Sequence, residues 1–233
     1  MLRNFIFSLI FFTGIIIISI FFLPSLFLPK RVVLLGGKLM GHWVGFCLNF
    51  FLSTKIIIKG TENIIRNEKF FIAASHQSMF ETFFLQTLFN APVFILKKEL
   101  LVIPIFGWYL KKIGSISIDR GKITKDNLGF LDKIYKSVIN SKRPLIIFPQ
   151  GTRVLPFEKP PFKKGVAKIY GKLNISCQPV AINSGNVWPK NGKKKIGKTI
   201  TVSILPKIDK DLPKDIFLKT LEEKIYQELS LIN

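Results

Sequence analysis

The first pattern along the chain is an absence of polarity. From residue 5 to 28 it runs FIFSLIFFTGIIIISIFFLPSLFL without a charge. At about 1.5 Å per residue this is long enough to cross a hydrocarbon core about 30 Å thick. Pro24 is expected to end or kink the regular part. A secretory signal would have an apolar region of about 7–15 residues closed by a small-residue cleavage site, so the longer stretch here reads as a membrane anchor. A second apolar stretch, 32–52, carries Gly36, Gly37, Gly41 and Gly45 with Lys38 as its one charge. It reads as a membrane-dipping helix packed on the first. Lys30 and Arg31 outweigh Arg3, and the positive-inside bias then puts the rest of the chain on the cytoplasmic side, at the inner membrane of the cell.

After residue 52 the pattern changes to short apolar runs alternating with amphipathic ones. KIIIKG (55–60), FFIAAS (70–75), PVFILK (92–97), GSISID (114–119), PLIIFP (144–149), QPVAIN (178–183) and TITVSILP (199–206) are rich in β-branched residues and bounded by Gly or Pro, which marks strands. Helical spacing appears over 80–90, 124–140, 165–173 and 213–229, the last starting at a Pro and with apolar residues at Ile216, Leu218, Leu221, Ile225 and Leu229. Alternating strands and helices predict an α/β domain over 53–233, with a mixed, mostly parallel sheet of about seven strands flanked by helices. Residues 1–52 form the helical anchor.

Composition changes this picture in one respect. The chain is 48% hydrophobic, which excludes a disordered tail, yet it carries 35 Lys+Arg against 14 Asp+Glu, a formal charge of +21. Two cysteines, Cys47 and Cys177, make no disulfide framework and fit a reducing compartment. No Asp or Glu occurs between Glu158 and Asp209, while eleven lysines do. Beside an anchor, such a face attracts anionic lipid. Nucleic acid is the other standard partner of basic surfaces, but the aromatic residues do not alternate with basic ones as a base-stacking platform requires.

Few residues can do acid–base chemistry. Of two histidines, His42 lies in the apolar stretch with no acidic neighbour and reads as structural. His76 follows the strand FFIAAS and opens HQSMFE, at a strand's carboxyl end where a helix begins. Glu81, five residues on, could reach one ring nitrogen and leave the other to take a proton from a hydroxyl. FPQGTR (148–153) follows another strand: Gly151 permits close approach, Thr152 offers a hydroxyl and Arg153 a planar fork that matches phosphate. In SIDRG (117–121), Arg120 is either a phosphate ligand or the partner of Asp119. There is no G-x-S-x-G, and the distant histidines and cysteines have no zinc spacing. GKKKIGKT (192–199) satisfies the P-loop pattern, but a turn-like segment precedes it and a strand follows, the reverse of the order that motif needs.

Together these blocks resemble the glycerolipid acyltransferases, specifically the bacterial 1-acyl-sn-glycerol-3-phosphate acyltransferases. HQSMFE, KKELLVIPIFGWYLKKIGSISIDR (97–120), FPQGTR and QPVAINSG (178–185) match the family's four blocks in order. The resemblance implies acyl transfer from acyl-CoA or acyl-carrier protein to the sn-2 hydroxyl of lysophosphatidic acid, with no cofactor, no metal and no covalent acyl-enzyme. It implies that His76 is the general base, that Glu81 orients it, and that Arg153 with Gly151 and Thr152 holds the acceptor's phosphate. Gln150 would support that site; Arg120 and Lys97 or Lys98 would assist it; Pro179 and Val180 would shape the acyl site. Two positions depart from the family pattern: Glu81 stands where Asp is usual, and Gln150 where Glu is usual. An acceptor such as a lyso-ornithine lipid is the alternative within the same fold. A membrane-anchored nucleic-acid-binding protein is the alternative outside it.

Overall fold

The computed structural model describes residues 2–118, 129–141 and 143–233. Two long helices come first. α1 (Leu2–Phe21) and α2 (Lys30–Leu52) are joined by a 3-10 turn over Leu23–Phe27 with Pro24 at its start. Proline has no N–H to continue the helical ladder, so α1 stops before it. α2 runs back along α1. The Trp43 indole N–H donates to the Phe11 carbonyl at 3.2 Å, and further along a Cβ on Gly36 would touch the Phe22 ring. α2 also lies on α3 (Phe80–Leu88), where Gly41 permits the approach: a Cβ there would sit 2.7 Å from the Phe83 carbonyl oxygen.

β1 (Lys55–Lys59), β2 (Phe70–Ala74), β3 (Val93–Lys97), β4 (Ile116–Ile118), β5 (Leu145–Ile147), β6 (Ser176–Ile182) and β7 (Thr199–Ile204) form one sheet in the order β1-β7-β6-β2-β5-β3-β4. Neighbours are parallel except β6 and β7, which are antiparallel. Each predicted strand is present. The sheet is mixed and mostly parallel, and its middle strands are covered on both faces, which is why they read as unbroken apolar runs. Of the predicted helices, 165–173 is α6 (Gly165–Leu173), 213–229 is α7 (Lys214–Ile232) and 80–90 is α3. The helix expected over 124–140 is α5 (Phe130–Ser141), and the first part of its predicted range lies outside the described residues. α4 (Phe106–Lys112) was not predicted, because seven residues interrupted by Gly107 are too few to show a helical period.

Alternate residues of a strand face opposite sides, and β2 divides the core accordingly. Phe71 and Ala73 face α5, α6 and α7, meeting Ile134, Val138, Val166, Tyr170 and Phe217. Ile72 and Ala74 face the other layer, with Phe80 and Phe84 of α3, Val44 and Leu48 of α2, and Phe7 and Phe11 of α1. The apolar hairpin thus supplies the inner wall of the second core. Its outer side is equally apolar and exposed: Phe5, Ile17, Phe21 and Phe50 are 61–76% exposed and Phe27, in the connecting turn, 92%. α2 ends at Leu52, with Ser53 in the left-handed conformation, but the core runs across that point without a break.

Candidate active site

β2 lies between β6 and β5, and its carboxyl end leads through residues 75–79 into α3. Ser75 fastens that end to β6: its hydroxyl accepts the Ile182 N–H at 2.7 Å and donates to the Ile182 carbonyl at 3.1 Å. The backbone of His76 is clamped to the loop after β5. Its N–H donates to the Gln150 side-chain carbonyl at 2.7 Å, and its own carbonyl accepts the Val154 N–H at 2.9 Å. The imidazole stacks on Phe148, with ring centroids 4.1 Å apart and planes at 19°. Main chain and ring are therefore both fixed by the segment FPQGTR.

Behind the ring, His76 Nδ1 stands 3.6 Å from Glu81 Oε2, close enough for an ion pair but too long for a hydrogen bond. Nδ1 is buried and has no hydrogen-bond partner among the described residues. Glu81 is in the first turn of α3 and fully buried. A carboxylate can be buried there because donors surround it and the amino end of a helix favours negative charge. Oε1 accepts from the Gln77 N–H at 3.1 Å and from the Ser184 hydroxyl; Oε2 accepts from the Ser78 N–H and the Ser78 hydroxyl, each at 3.2 Å. Gln77 in turn accepts the Gly185 N–H at 3.0 Å. The 75–81 and 183–185 segments are thereby locked together, and the extra methylene of Glu81 is accommodated with every oxygen occupied.

Gln150 is buried and serves the backbone of His76; it does not line the cavity beside it. Next to it the Tyr226 hydroxyl donates to the Pro160 carbonyl, and burial pushes its pKa up to about 12, opposed by the Gln150 amide. Gly151 has φ +74° and donates its N–H to the Phe148 carbonyl at 2.9 Å, closing the turn that aims Arg153 back toward His76.

A cavity of about 420 Å³ opens at this point. At the carboxyl ends of β2, β3 and β5 its wall is polar, with His76, Ser78, Lys97 and Arg153. It continues between α2, α3, β3 and α4 past Met79, Phe83, Phe94 and Leu96 to Phe22, Val33, Leu34 and Ile113. Ile113 precedes β4, which runs parallel to β3, so that end lies toward the amino ends of these two strands while Lys97 stands at their carboxyl ends. A cationic mouth above a long apolar interior suits an amphiphile with an anionic head.

The structure brings His76, Glu81, Arg153 and Lys97 together and leaves other predicted residues outside the cavity. Thr152 is exposed on the turn, and Lys98 is exposed in the 3-10 turn Lys98–Val102. Pro179 and Val180 are buried within β6 and do not reach the cavity wall. Arg120 lies outside the described residues. GKKKIGKT leads into β7 and not into a helix, as its flanks indicated. No group of three or more His, Cys, Asp or Glu able to hold a metal occurs among the described residues. Sequence reasoning missed Ser184, Ser78, Gln77 and Phe148. Gln77, Ser78 and Phe148 follow strand ends within two residues of His76 or Gln150, which is the signal that could have marked them; Ser184 has no such neighbour in sequence.

Fold and site together give an α/β domain with a cationic-mouthed apolar cavity at the carboxyl ends of its strands. The family model described as Acyltransferase matches residues 55–183, more than half of the chain. The chain belongs to the acyltransferase family. It is 36% identical over 149 residues to the 1-acyl-sn-glycerol-3-phosphate acyltransferase of Pseudomonas aeruginosa, a match covering 64% of this chain and 57% of that protein. With the Saccharomyces cerevisiae protein of the same name the identity is 28%, covering 78% of this chain and 63% of that one. The Helicobacter pylori protein of that name is 32% identical, covering 67% of each. The chain thus spans less than two thirds of the length of the Pseudomonas and yeast relatives. The crystal structure of the Thermotoga maritima 1-acyl-sn-glycerophosphate acyltransferase, PlsC, shares the fold, with TM-score 0.81, 21% identity, and coverage of 100% of this chain and 98% of that one.

Proposed function

We propose that the protein transfers an acyl group from a thioester to the sn-2 hydroxyl of lysophosphatidic acid, making phosphatidic acid. The observation that carries this reading is that His76, with Glu81 behind it, and Arg153 share the mouth of one apolar cavity. Nδ1 carries the proton toward Glu81, leaving Nε2 unprotonated at the mouth. Nε2 removes the hydroxyl proton as the oxygen attacks the thioester carbonyl. Collapse of the tetrahedral intermediate breaks the C–S bond, and the imidazolium returns its proton to the leaving thiolate, from acyl-CoA or acyl-carrier protein. The carboxylate 3.6 Å away orients the ring, and a small approach makes that contact a hydrogen bond. Ser78 does not compete as a nucleophile, because its hydroxyl already donates to Glu81 and accepts the Phe80 N–H at 2.9 Å.

Arg153 and Lys97 supply the charge for the acceptor's phosphate, Arg153 as a bidentate fork. Two cations at the mouth favour a phosphomonoester over a zwitterionic head such as that of a lyso-ornithine lipid. The apolar interior takes an acyl chain.

The hairpin's inner face is part of the domain core and its outer face is apolar, so we read it as lying in one leaflet. Each helix is long and apolar enough to cross a membrane by length and composition alone. Lys30 and Arg31 favour the cytoplasmic side of the inner membrane. An acceptor panel tests the function: membranes containing the protein, given an acyl thioester, should acylate lysophosphatidic acid well ahead of lyso-ornithine lipid or monoacylglycerol. Equal use of the three would refute the phosphate reading.

A further inference from the structure

The segment 189–198, PKNGKKKIGK, takes no part in the site, yet it is tied to the open end of the hairpin at three points. The Asn4 side-chain amide donates to the Lys194 carbonyl at 3.0 Å, the Lys194 ammonium to the Ser8 hydroxyl at 3.0 Å, and the Gly197 N–H to the Leu52 carbonyl at 2.8 Å. One end of α1 and one end of α2 are thus held by the same loop. Lys194 is the clamp: half-buried, its nitrogen lies 5.2 Å from the Phe7 ring centre and 5.3 Å from that of Trp188. Burial lowers its pKa.

The other four lysines of the loop behave differently. Lys190, Lys193, Lys195 and Lys198 are exposed, and among the described residues none has a carboxylate within ion-pair distance. Arg3, also exposed, stands on the adjoining turn of α1. Beside them the hairpin presents Leu2 at 70%, Phe5 at 66% and Phe50 at 66% exposure. Apolar side chains next to long cationic ones without internal counter-charge match the layering of a bilayer, acyl chains below and phosphates above.

We propose that the 189–198 loop is an electrostatic dock for anionic phospholipid, held level with the hairpin's apolar face by Lys194. This rests on the reading that the outer face of the hairpin enters a leaflet. The dock would keep the enzyme on anionic membrane, where a lysophosphatidic acid acceptor resides. An acidic carrier protein is the other polyanion the loop could meet. Its fastening to the hairpin and its apolar rim favour the bilayer.

Flotation of the full-length protein with vesicles of phosphatidylcholine, with or without phosphatidylglycerol, tests the proposal. Phosphatidylglycerol should strengthen wild-type binding, and added salt should erode the gain. Lys193→Gln with Lys195→Gln should lower that gain by about fivefold per lysine removed and leave binding to phosphatidylcholine unchanged. Lys193→Glu with Lys195→Glu should lower it further. The same phosphatidylglycerol gain in wild type and both variants would overturn the dock. So would unchanged vesicle binding with a selective loss of turnover from acyl-carrier protein, which would assign the loop to the donor. Phe5→Ser with Phe50→Ser should weaken binding to both vesicle types. If it does not, the leaflet reading fails, separately from the lysine result.

Discussion

The hydroxyl of Ser184 donates to the Glu81 carboxylate across 103 residues of sequence. It occupies Oε1 together with the Gln77 N–H, while Oε2, bound by Ser78, is the oxygen that faces His76. Ser184 lines no part of the cavity and acts on the histidine through the carboxylate. Ser184→Ala removes one donor from a fully buried acid, a change worth about 1–3 kcal/mol. It should lower kcat about fivefold or more and leave KM for lysophosphatidic acid nearly unchanged. A rise in KM with kcat preserved would mean that Ser184 shapes the substrate site and not the base.

Arg153 carries the opposite expectation. It lines the mouth of the cavity, and its loss should appear in binding. Arg153→Ala should raise KM for lysophosphatidic acid by about tenfold or more, consistent with about 1.5–3 kcal/mol for a charge-assisted hydrogen bond. Arg153→Lys should recover only part of this, because an ammonium cannot form the two-pronged contact. Turnover of monoacylglycerol, which has no phosphate, should not change. An equal loss on both acceptors would remove Arg153 from phosphate binding.

The far end of the cavity is closed by Phe22, Val33, Leu34 and Ile113. Val33→Phe fills space that an acyl chain would use, and the preferred chain should shorten by a few carbons while activity on short chains is kept. An acyl-donor panel read as a length profile checks this. A profile that only scales down, without moving, would show that the chain lies elsewhere.

Cys177 sits in β6 with both faces covered, and burial pushes its thiol well above the ordinary value. Since the thiolate is the reactive form, a raised pKa means less of it at neutral pH. Maleimide should leave Cys177 unlabelled in the native protein and label it in denaturant. Rapid native labelling would contradict the buried position of β6.

Much of the fold was legible because strands covered on both faces must be apolar along their length, as in FFIAA and LII. His76, Glu81 and Arg153 were legible because they fall where such runs end. What was hidden depends on pairings remote in sequence. β6 lies beside β2, and that adjacency is what delivers Ser184 to Glu81. Sequence neighbours also mislead: Thr152 and Lys98 adjoin Arg153 and Lys97, yet both stand outside the cavity. The hairpin's role in the core was hidden for another reason. A face packed in the core and a face left exposed are both apolar here, so Phe7 and Phe5 look alike in sequence although one is buried and the other 66% exposed.

In the proposed mechanism His76 takes the hydroxyl proton. The rate of phosphatidic acid formation by His76→Ala, in membranes holding the same amount of folded protein, tests it most directly. General-base catalysis contributes typically about 10²–10⁴-fold, so kcat should fall by at least that lower figure. Vesicle binding should be unchanged. Turnover within a few-fold of wild type in a correctly inserted variant would rule out His76 as the base.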